Sequence, residues 1–535
     1  MVAEKEIIER GFVLYSDFGA AADGKTDDFE AIYAAHEFAN ANSLPVRADE
    51  GAVYYVHHFE KSAIIKTDTD FTGAKFILDD TGSDAFNNRS IPLFYVERDN
   101  PAIIYEADEL TSKFGNISFS QGDKKIDALA GELDVTCLIR FYNSEHRDFV
   151  RIGGNVNSGN PRTDCLLIHP DGSIDEQTPV AFDFEKVTKI EIFRTDDKPI
   201  TVKGGYFETI CCTVVAETEF ENKWRGYYRK FKIGRTNTTM LDMTHRIICE
   251  PYIPSEGYGR SDDGKLRQSY PYYGFLYFYN TYNSSAINCA LNGHTTYYED
   301  KKTSEKPVPQ GTYDLVIEYS SHVLCEGITS YVDICDTRYW GIMSSNGAKN
   351  LTFKGCSMSR FDAHRGFWNA KLIDCEFGQN INVIGGGTLY IENTKRLSGR
   401  NFIAMRGDYG ATFNGDIIIK NCSFTGKKSY RGARCEDKFS DGIHIINSGF
   451  NGKDEKYLNW DFGYTCYMPH HVIIDDFETG LPESTYVYNA LPNAPFEAEG
   501  RYVITQDITY KNMEPFANCK DPESTKINSI PIKRD

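Results

Sequence analysis

The stretch Arg360-Phe361-Asp362-Ala363-His364-Arg365 sets a carboxylate two residues from an imidazole and flanks both with arginines. In an extended strand successive side chains point to opposite faces. Arg360, Asp362 and His364 therefore share one face, and Phe361 and Ala363 the other. An aspartate beside a histidine or arginine on an outward face is the raw material of a general acid, a general base or the group that orients one. Comparable polar residues recur nearby: Asp333, Asp336 and Arg338, then Arg406, Asp408 and Tyr409, with His294 and His245 further upstream. Asp333, Asp336, Asp362, His364 and Asp408 are the catalytic candidates. Arg365, Arg406, His294, Arg338, Tyr409 and His245 are the substrate-binding candidates. Asp441 with His444 is a weaker pair, because residues three apart point to opposite faces of a strand. No HExxH, phosphate loop or dinucleotide fingerprint occurs. Gly385-Gly386-Gly387 lacks the strand-turn-helix context of a nucleotide site and reads as a turn. No metal or cofactor is expected.

These residues are far apart in the chain, so something must bring them together, and a repeat does. NLTFKGC, ending at Cys356, aligns with NAKLIDC ending at Cys375, TLYIENT at Thr394 and DIIIKNC at Cys422. Further copies are PITVKGG at Gly205, NTTMLDM at Met243, HVLCEGI at Ile328, GIHIINS at Ser448, HVIIDDF at Phe477 and DITYKNM at Met513. SSAINCA carries Cys289 at a slightly displaced place. Each copy is a short alternating strand, a polar or glycine turn, and a small or apolar anchor that points inward. Anchors spaced by about 20–30 residues suit stacked β coils and fit no heptad or helical-repeat period. Equivalent positions on neighbouring coils lie about 4.8 Å apart. Asp336 and His364 hold the same offset past successive anchors, which makes them expected neighbours. Cys356, Cys375 and Cys422 read as small apolar residues in a dry interior rather than disulfides or ligands.

The 535 residues are 41% hydrophobic and 13% aromatic, a bias toward strands and toward sugar-stacking surfaces. The net charge of −19 excludes a nucleic-acid binder, which needs a basic face. No apolar run approaches the roughly 20 residues that span a bilayer. The N-terminal MVAEKEIIERGF lacks the apolar segment of a signal peptide. The expectation is a cytoplasmic protein or a trimmed secreted or cell-surface form. The domain reading is a cap and first coil over 1–60, early coils over 61–133, a β-rich insertion or accessory segment over 134–198, the main stack with the site groove over 199–515, and a tail over 516–535. Pro170-Asp171-Gly172 marks a hairpin-like turn inside the insertion. No nucleic-acid partner and no membrane span are expected.

The opening stretch carries Asp17-Phe18-Gly19-Ala20, Asp23-Gly24 and Asp27-Asp28, then an alanine-rich helix pattern, then Gly51, Tyr54 and Val56. Asp27 and Asp28 read as N-cap and first-turn acids. This motif resembles the opening segment of the pectate-lyase-superfamily right-handed parallel β-helices, among them polygalacturonases, alginate epimerases and phage tailspike depolymerases. The resemblance implies an all-β right-handed parallel β-helix whose end is capped by the helix, a glycan as partner, and a monomer or a trimer. Phe29 departs from the Thr or Ser the family often has there. The polygalacturonase set of Asn-Thr-Asp, Asp-Asp, Gly-His-Gly and Arg-Ile-Lys on consecutive coils is missing. Phe361-Asp362-Ala363-His364 is similar to the Phe-Asp-x-His of alginate epimerases and related lyases. Three readings follow. The first is a glycoside hydrolase with paired carboxylates flanking the scissile bond. The second is a polysaccharide lyase or uronate epimerase in which Arg365 or Arg406 neutralises a uronate while His364 or a tyrosine moves the C5 proton. The third is a glycan-binding spike or adhesin without catalysis.

Overall fold

The computed structural model describes residues 2–81, 91–151, 158–210, 230–248, 273–291, 313–331, 333–335, 341–399, 401–424, 442–447, 464–489, 502–522 and 524–535, with short strand segments at 216–218, 259–260, 266–268, 296–299 and 307–310. A 34-stranded sheet runs through it, and its pairings are parallel. Strands pair with the strand one full turn later in the chain, so the backbone coils into a parallel β-helix. No described helix is long and apolar enough to cross a membrane.

The repeat explains the register. Phe353 sits opposite Leu372, Leu372 opposite Ile391, Ile391 opposite Ile419, Ile419 opposite Ile474, and Ile474 opposite Tyr510. Each of these is at most 1% exposed. One such side chain stabilises the stack by about 1.5–3 kcal/mol through burial, and the column repeats it coil after coil. The residue before each anchor must take the left-handed conformation to turn the corner. Gly355, Asp374, Asn393, Asn421, Asp476 and Asn512 do so, with φ between 48° and 60°. Asn and Asp tolerate that region better than other side chains do. They also bond along the stack: Asn393 Nδ2 donates to Asp374 Oδ1 at 2.9 Å, and Asn421 Nδ2 to Asn393 Oδ1 at 2.6 Å. The anchors Cys356, Cys375 and Cys422 are buried free thiols, as their place in the repeat requires.

Two rungs differ from expectation. Cys289 is not displaced, because Ser285 pairs with Leu324 and Ala286 with Cys325, which puts Cys289 at the anchor position itself. GIHIINS is not a rung of this column, because its strand Ile443–Asn447 pairs with Asn401–Met405 on another side of the coil. Cys422 pairs directly with Phe477, so a single coil spans 55 residues there. The ends also differ. Ala517–Cys519 and Ile532–Arg534 add strands to the last coils, so the segment expected as a tail belongs to the stack.

At the other end the helix Phe29–Asn42 buries Phe29, Ile32, Ala35, His36 and Ala39 against the core. Asp28 occupies the N-cap position without a side-chain cap bond. Its carboxylate instead takes the amides of Ala21, Ala22 and Tyr55, and Asp27 takes those of Phe29 and His58. The two acids tie the opening loop to the first coil. A further helix, Glu4–Arg10, precedes the motif.

The insertion starts earlier than the sequence suggested. Its four-stranded antiparallel sheet runs Asn160–Ile168, Cys137–Asp148, Lys189–Arg194, Ile103–Glu106. Leu110, Ile117, Phe119, Ile126 and Leu129, expected among the early coils, form a separate core with Ile139, Phe141 and Leu166 on one face of that sheet. The other face carries Leu138, Cys165, Leu167 and Phe193 and packs against Tyr282 and Tyr319 of the solenoid. Burial on both faces is why Cys137–Phe141 and Cys165–Ile168 read as unbroken runs with weak alternation. The junction is sealed by buried charges: Lys349 of the solenoid meets Asp164 of the insertion at 2.7 Å, each 1% exposed.

Asp314 stands out in the strand Tyr313–Glu318. It is 1% exposed, and among the described residues neither carboxyl oxygen has a hydrogen-bond partner. Burial pushes its pKa well above the carboxylate range. The folded state keeps the proton that the unfolded chain releases near pH 4, about 3.9. Stability is therefore fullest below that pH and falls as pH rises toward the folded value. Asp314→Asn, which cannot ionise, is expected to melt above the parent at neutral pH and level with it at about pH 4. Equal melting temperatures at neutral pH would show that the carboxyl carries no ionisation penalty.

Candidate active site

Phe361 and Ala363 lie in the core at 0% exposure, so Asp362 and His364 point outward, as strand alternation demands. Asp362 is nevertheless 2% exposed, because polar side chains close over it. Tyr313 Oη donates to Oδ2 at 2.8 Å, Arg406 Nη1 to Oδ1 at 2.9 Å, and Asn382 Nδ2 to Oδ1 at 3.2 Å. His364 Nε2 lies 3.4 Å and Arg360 Nη1 3.7 Å from Oδ2. The ladder places most of this. Asp362 pairs with Asn382 on the next coil, Asn382 pairs with Ala404 on the coil after, and Arg406 two residues on reaches back.

Arg406 serves two carboxylates. Its Nη1 goes to Asp362, while Nε and Nη2 grip Asp408 at 3.1 and 2.8 Å. Asp408 sits in the short turn Gly407–Tyr409, closed by Gly410 in the left-handed region. Its Oδ2 also accepts from Arg151 Nε of the insertion at 2.7 Å. The Tyr409 ring lies 5.3 Å from the Arg406 guanidinium and 5.5 Å from that of Arg151, so it backs both cations.

These contacts fix the charges. Burial alone raises the Asp362 carboxyl, but His364 and Arg406 outweigh it and hold the group well below its ordinary range. Asp408 is held low in the same way, burial being outweighed by Arg406 and Arg151. Both are carboxylates at neutral pH, and neither is a proton donor. Burial and the charge of Asp362 push the Tyr313 phenol well above its ordinary value. Burial lowers His364, with Asp362 offsetting part of the effect.

Proton directions follow. Asp362 only accepts, so the single Tyr313 hydroxyl proton goes to it. Tyr313 Oη lies 2.5 Å from His364 Nε2, and the oxygen can then only accept from that nitrogen. Burial, by lowering its pKa, keeps His364 neutral at neutral pH, and this contact then puts its one proton on Nε2 and leaves the lone pair on Nδ1. The side chain is 23% exposed, and a carboxylate behind an imidazole is the arrangement a general base would need.

Next to this cluster, a cavity of about 380 Å³ opens between the insertion and the solenoid. Asp148, Phe149 and Arg162 line it from the insertion, and Lys349, Arg365 and Trp368 from the solenoid. Two residues separate Asp148 in the cavity wall from Arg151 on Asp408, and Arg365 in the wall follows His364 directly. Two of the cations there are spent: Arg162 holds Asp148 at 2.9 and 3.1 Å, and Lys349 holds Asp164. Arg365 is not. With the Asn160 carboxamide turned so that its oxygen faces the guanidinium, Arg365 Nε and Nη1 both donate to it at 2.8 Å, and among the described residues no carboxylate pairs with Arg365.

Asp362, His364, Arg406, Asp408 and Tyr409 thus form one cluster, with Arg365 on the adjoining wall. Asp336, Arg338, His294 and Asp441 lie outside the described residues. Asp333 is exposed and bonds the Cys335 amide at 2.9 Å, and no bond among the described residues joins it to Asp362. His245 is a correction. It is 2% exposed, stacks on Phe275 at 4.1 Å between ring centres, and meets Thr209 Oγ1 at 3.0 Å, so it faces the interior and cannot extend a groove. Tyr313, Arg151 and Asn382 were missed. Asn382 was findable, since it lies one rung, 20 residues, past Asp362. Tyr313 is 49 residues upstream of Asp362 and Arg151 is 257 from Asp408, and no local pattern ties them to the site.

The burial of Asp362 changes what its loss does. Removing one member of a buried ion pair costs about 3–5 kcal/mol, so Asp362→Asn is expected to lose stability of that order at neutral pH. The Asp362 pKa is depressed in the fold, so its contribution is present above the unfolded value of about 3.9 and fades as pH falls below it. Denaturant unfolding at neutral pH and near pH 3 checks both. A variant as stable as the parent at neutral pH would mean that Arg406 needs only Asp408.

No family model matches the sequence. A stretch of 102 residues is 28% identical to a capsule KL64-specific depolymerase of Klebsiella phage P510, a match that takes in 17% of this chain and 10% of that protein. The chain thus spans about a tenth of the length of the curated relative it matches. Among solved structures, the tailspike gp49 from Pseudomonas phage LKA1 is similar over 95% of this chain and 82% of its own, at 12% identity and a TM-score of 0.44. The gp54 tailspike of Acinetobacter baumannii bacteriophage AP22, solved with A. baumannii capsular saccharide, is similar over 100% and 80%, at 10% identity and a TM-score of 0.35.

Proposed function

We propose that the protein is a polysaccharide-degrading enzyme that cleaves an acidic glycan by β-elimination. The observation that carries this reading is the pairing of a neutral His364, backed by Asp362 through Tyr313, with an adjacent Arg365 that no described carboxylate occupies. The sequence alone favoured a hydrolase. That chemistry needs a protonated carboxyl beside an ionised one, and Arg406 holds both Asp362 and Asp408 ionised. The depolymerase relative is in keeping with a glycan substrate.

In this mechanism Arg365 takes the uronate carboxylate and stabilises the charge that develops on it when C5 loses its proton. His364 Nδ1 accepts that proton. The imidazolium is stabilised by Asp362, directly and through the Tyr313 hydroxyl. The C4–O4 bond then breaks as the C4–C5 double bond forms, and the same imidazolium returns the proton to the departing O4. Atoms and charge balance without a second acid, and His364 regains its starting state.

The test is product analysis on purified acidic capsular polysaccharides. Elimination yields new reducing ends together with ultraviolet absorbance from the unsaturated sugar. Reducing ends without absorbance would mean hydrolysis, and neither signal would mean binding alone. His364→Ala, at a partly exposed position, is expected to lower turnover by about 10²–10⁴-fold while the fold persists. Because burial lowers the His364 pKa, activity should fall only on the acid side of the ordinary imidazole value of about 6.5. Loss of activity beginning above that value would contradict the assignment of His364 as the base.

A further inference from the structure

The glycine run 385–387, which reads from the sequence as a turn, lies instead in the strand Gly385–Glu392 on the cavity side of the solenoid. On the outward face of this coil Trp368 pairs with Lys349 behind it and with Gly386 ahead, and Gly386 pairs with Asn414. Lys349 is drawn beneath the insertion by Asp164. Gly386 has no side chain at all. A Cβ there would stand 2.5 Å from Trp368 Cζ3, and one on Gly387 would stand 3.0 Å from Nε1. The same Cβ atoms would stand 2.4 Å from the Asn414 carbonyl oxygen and 2.3 Å from Asn369 Oδ1, so glycine here admits both the close stacking of the coils and an indole lying against the sheet. Trp368 is half-buried and lines the cavity.

This is the geometry of a platform. A pyranose offers one face of C–H groups that stacks on an aromatic ring, and a rim of hydroxyls that needs hydrogen-bonding groups beside the ring. The same cavity supplies them: Asp148 and Arg162 from the insertion, Asn414 and Tyr467 from the solenoid. Its volume of about 380 Å³ falls within the 300–1,000 Å³ usual for small-molecule sites.

We propose that Trp368 is the stacking platform of a sugar subsite next to the reacting residue, and that the insertion wall of Asp148 and Arg162 selects which pyranose it takes. The subsite rests on the reading of the chain as a glycan-acting protein. Its test is an equilibrium one, made on the His364→Ala protein so that the glycan is not consumed. The probes are purified bacterial capsular polysaccharides, acidic and neutral, immobilised for binding measurements. Trp368→Ala and Trp368→Leu should each weaken binding of the recognised polysaccharides roughly tenfold or more, while Trp368→Phe keeps most of it. Circular dichroism checks that each variant is folded, and the leucine variant keeps apolar bulk if the alanine one does not fold. Undiminished binding by both the alanine and leucine variants overturns the platform, as does a parent that binds no polysaccharide in the panel. Tight, Trp368-dependent binding of a glycan that the protein with intact His364 does not cleave preserves the subsite and removes the elimination reading. Cleavage that is indifferent to Trp368 does the reverse.

Discussion

One guanidinium holds the site together. Arg406 bonds Asp362 with one edge and Asp408 with the other, and Asp408 in turn holds Arg151 of the insertion. The chain of charges runs from a buried carboxylate on one coil, through the arginine of a later coil, to a separate sheet. Each link decides a protonation state. With Arg406 in place both aspartates are ionised, Asp362 can only accept hydrogen bonds, and the Tyr313 proton has one place to go. With burial keeping His364 neutral, its proton then lies on Nε2 and its lone pair on Nδ1. A buried ion pair of this kind is weak evidence for stability in itself, because desolvation offsets much of the attraction. Its effect here lies in the state it imposes on the neighbouring imidazole.

The same link makes the insertion part of the site rather than an ornament on the solenoid. A β-helix alone presents a flat ladder of side chains along one side of its coils. The sheet built from Cys137–Asp148 and Asn160–Ile168 stands against that ladder and turns it into a cavity. Phe149 marks the place where the strand ends and the chain turns to bring Arg151 to Asp408. It has a φ of 55°, unusual for a bulky residue, and its ring rests over Gly366, where a Cβ would come within 2.6 Å. Strain of that kind persists only where surrounding contacts over-determine it. Here the neighbouring contacts are the Arg162–Asp148 pair and the Arg151–Asp408 pair on either side of it.

The solenoid was readable because its rule is local. An alternating strand, a left-handed Asn, Asp or Gly and an inward anchor recur within seven residues, and each part has a steric reason. Placing Asp362 and His364 on the outward face followed from the same alternation. What the sequence does not carry is the covering. Nothing near Asp362 signals that Tyr313 and Arg406 close over it, since both lie coils away, and so a buried hub read as a surface carboxylate. His245 failed for the opposite reason: a lone polar residue in a strand was read as outward when its partners, Phe275 and Thr209, make it comfortable inside. The insertion's edge was misjudged because its first strand, Ile103–Glu106, is an exposed edge strand followed by the helix Ala107–Phe114, and neither marks a break from the coils. Gly385 to Gly387 look like a turn by composition, and the close approach of the neighbouring coils, with the ring of Trp368 over Gly386, explains why glycine stands in a strand.

The protonation state of His364 is the claim from which the chemistry follows, and it is directly measurable. Protein labelled with nitrogen-15 at its 12 histidines, with His364→Ala to assign the signal, reports the charge and tautomer of each ring by NMR. At neutral pH the His364 ring should be uncharged, with hydrogen on Nε2 and none on Nδ1, and it should take up a proton only below the ordinary imidazole range. A ring charged at neutral pH, or one carrying its hydrogen on Nδ1, would contradict the assignment of His364 as the base.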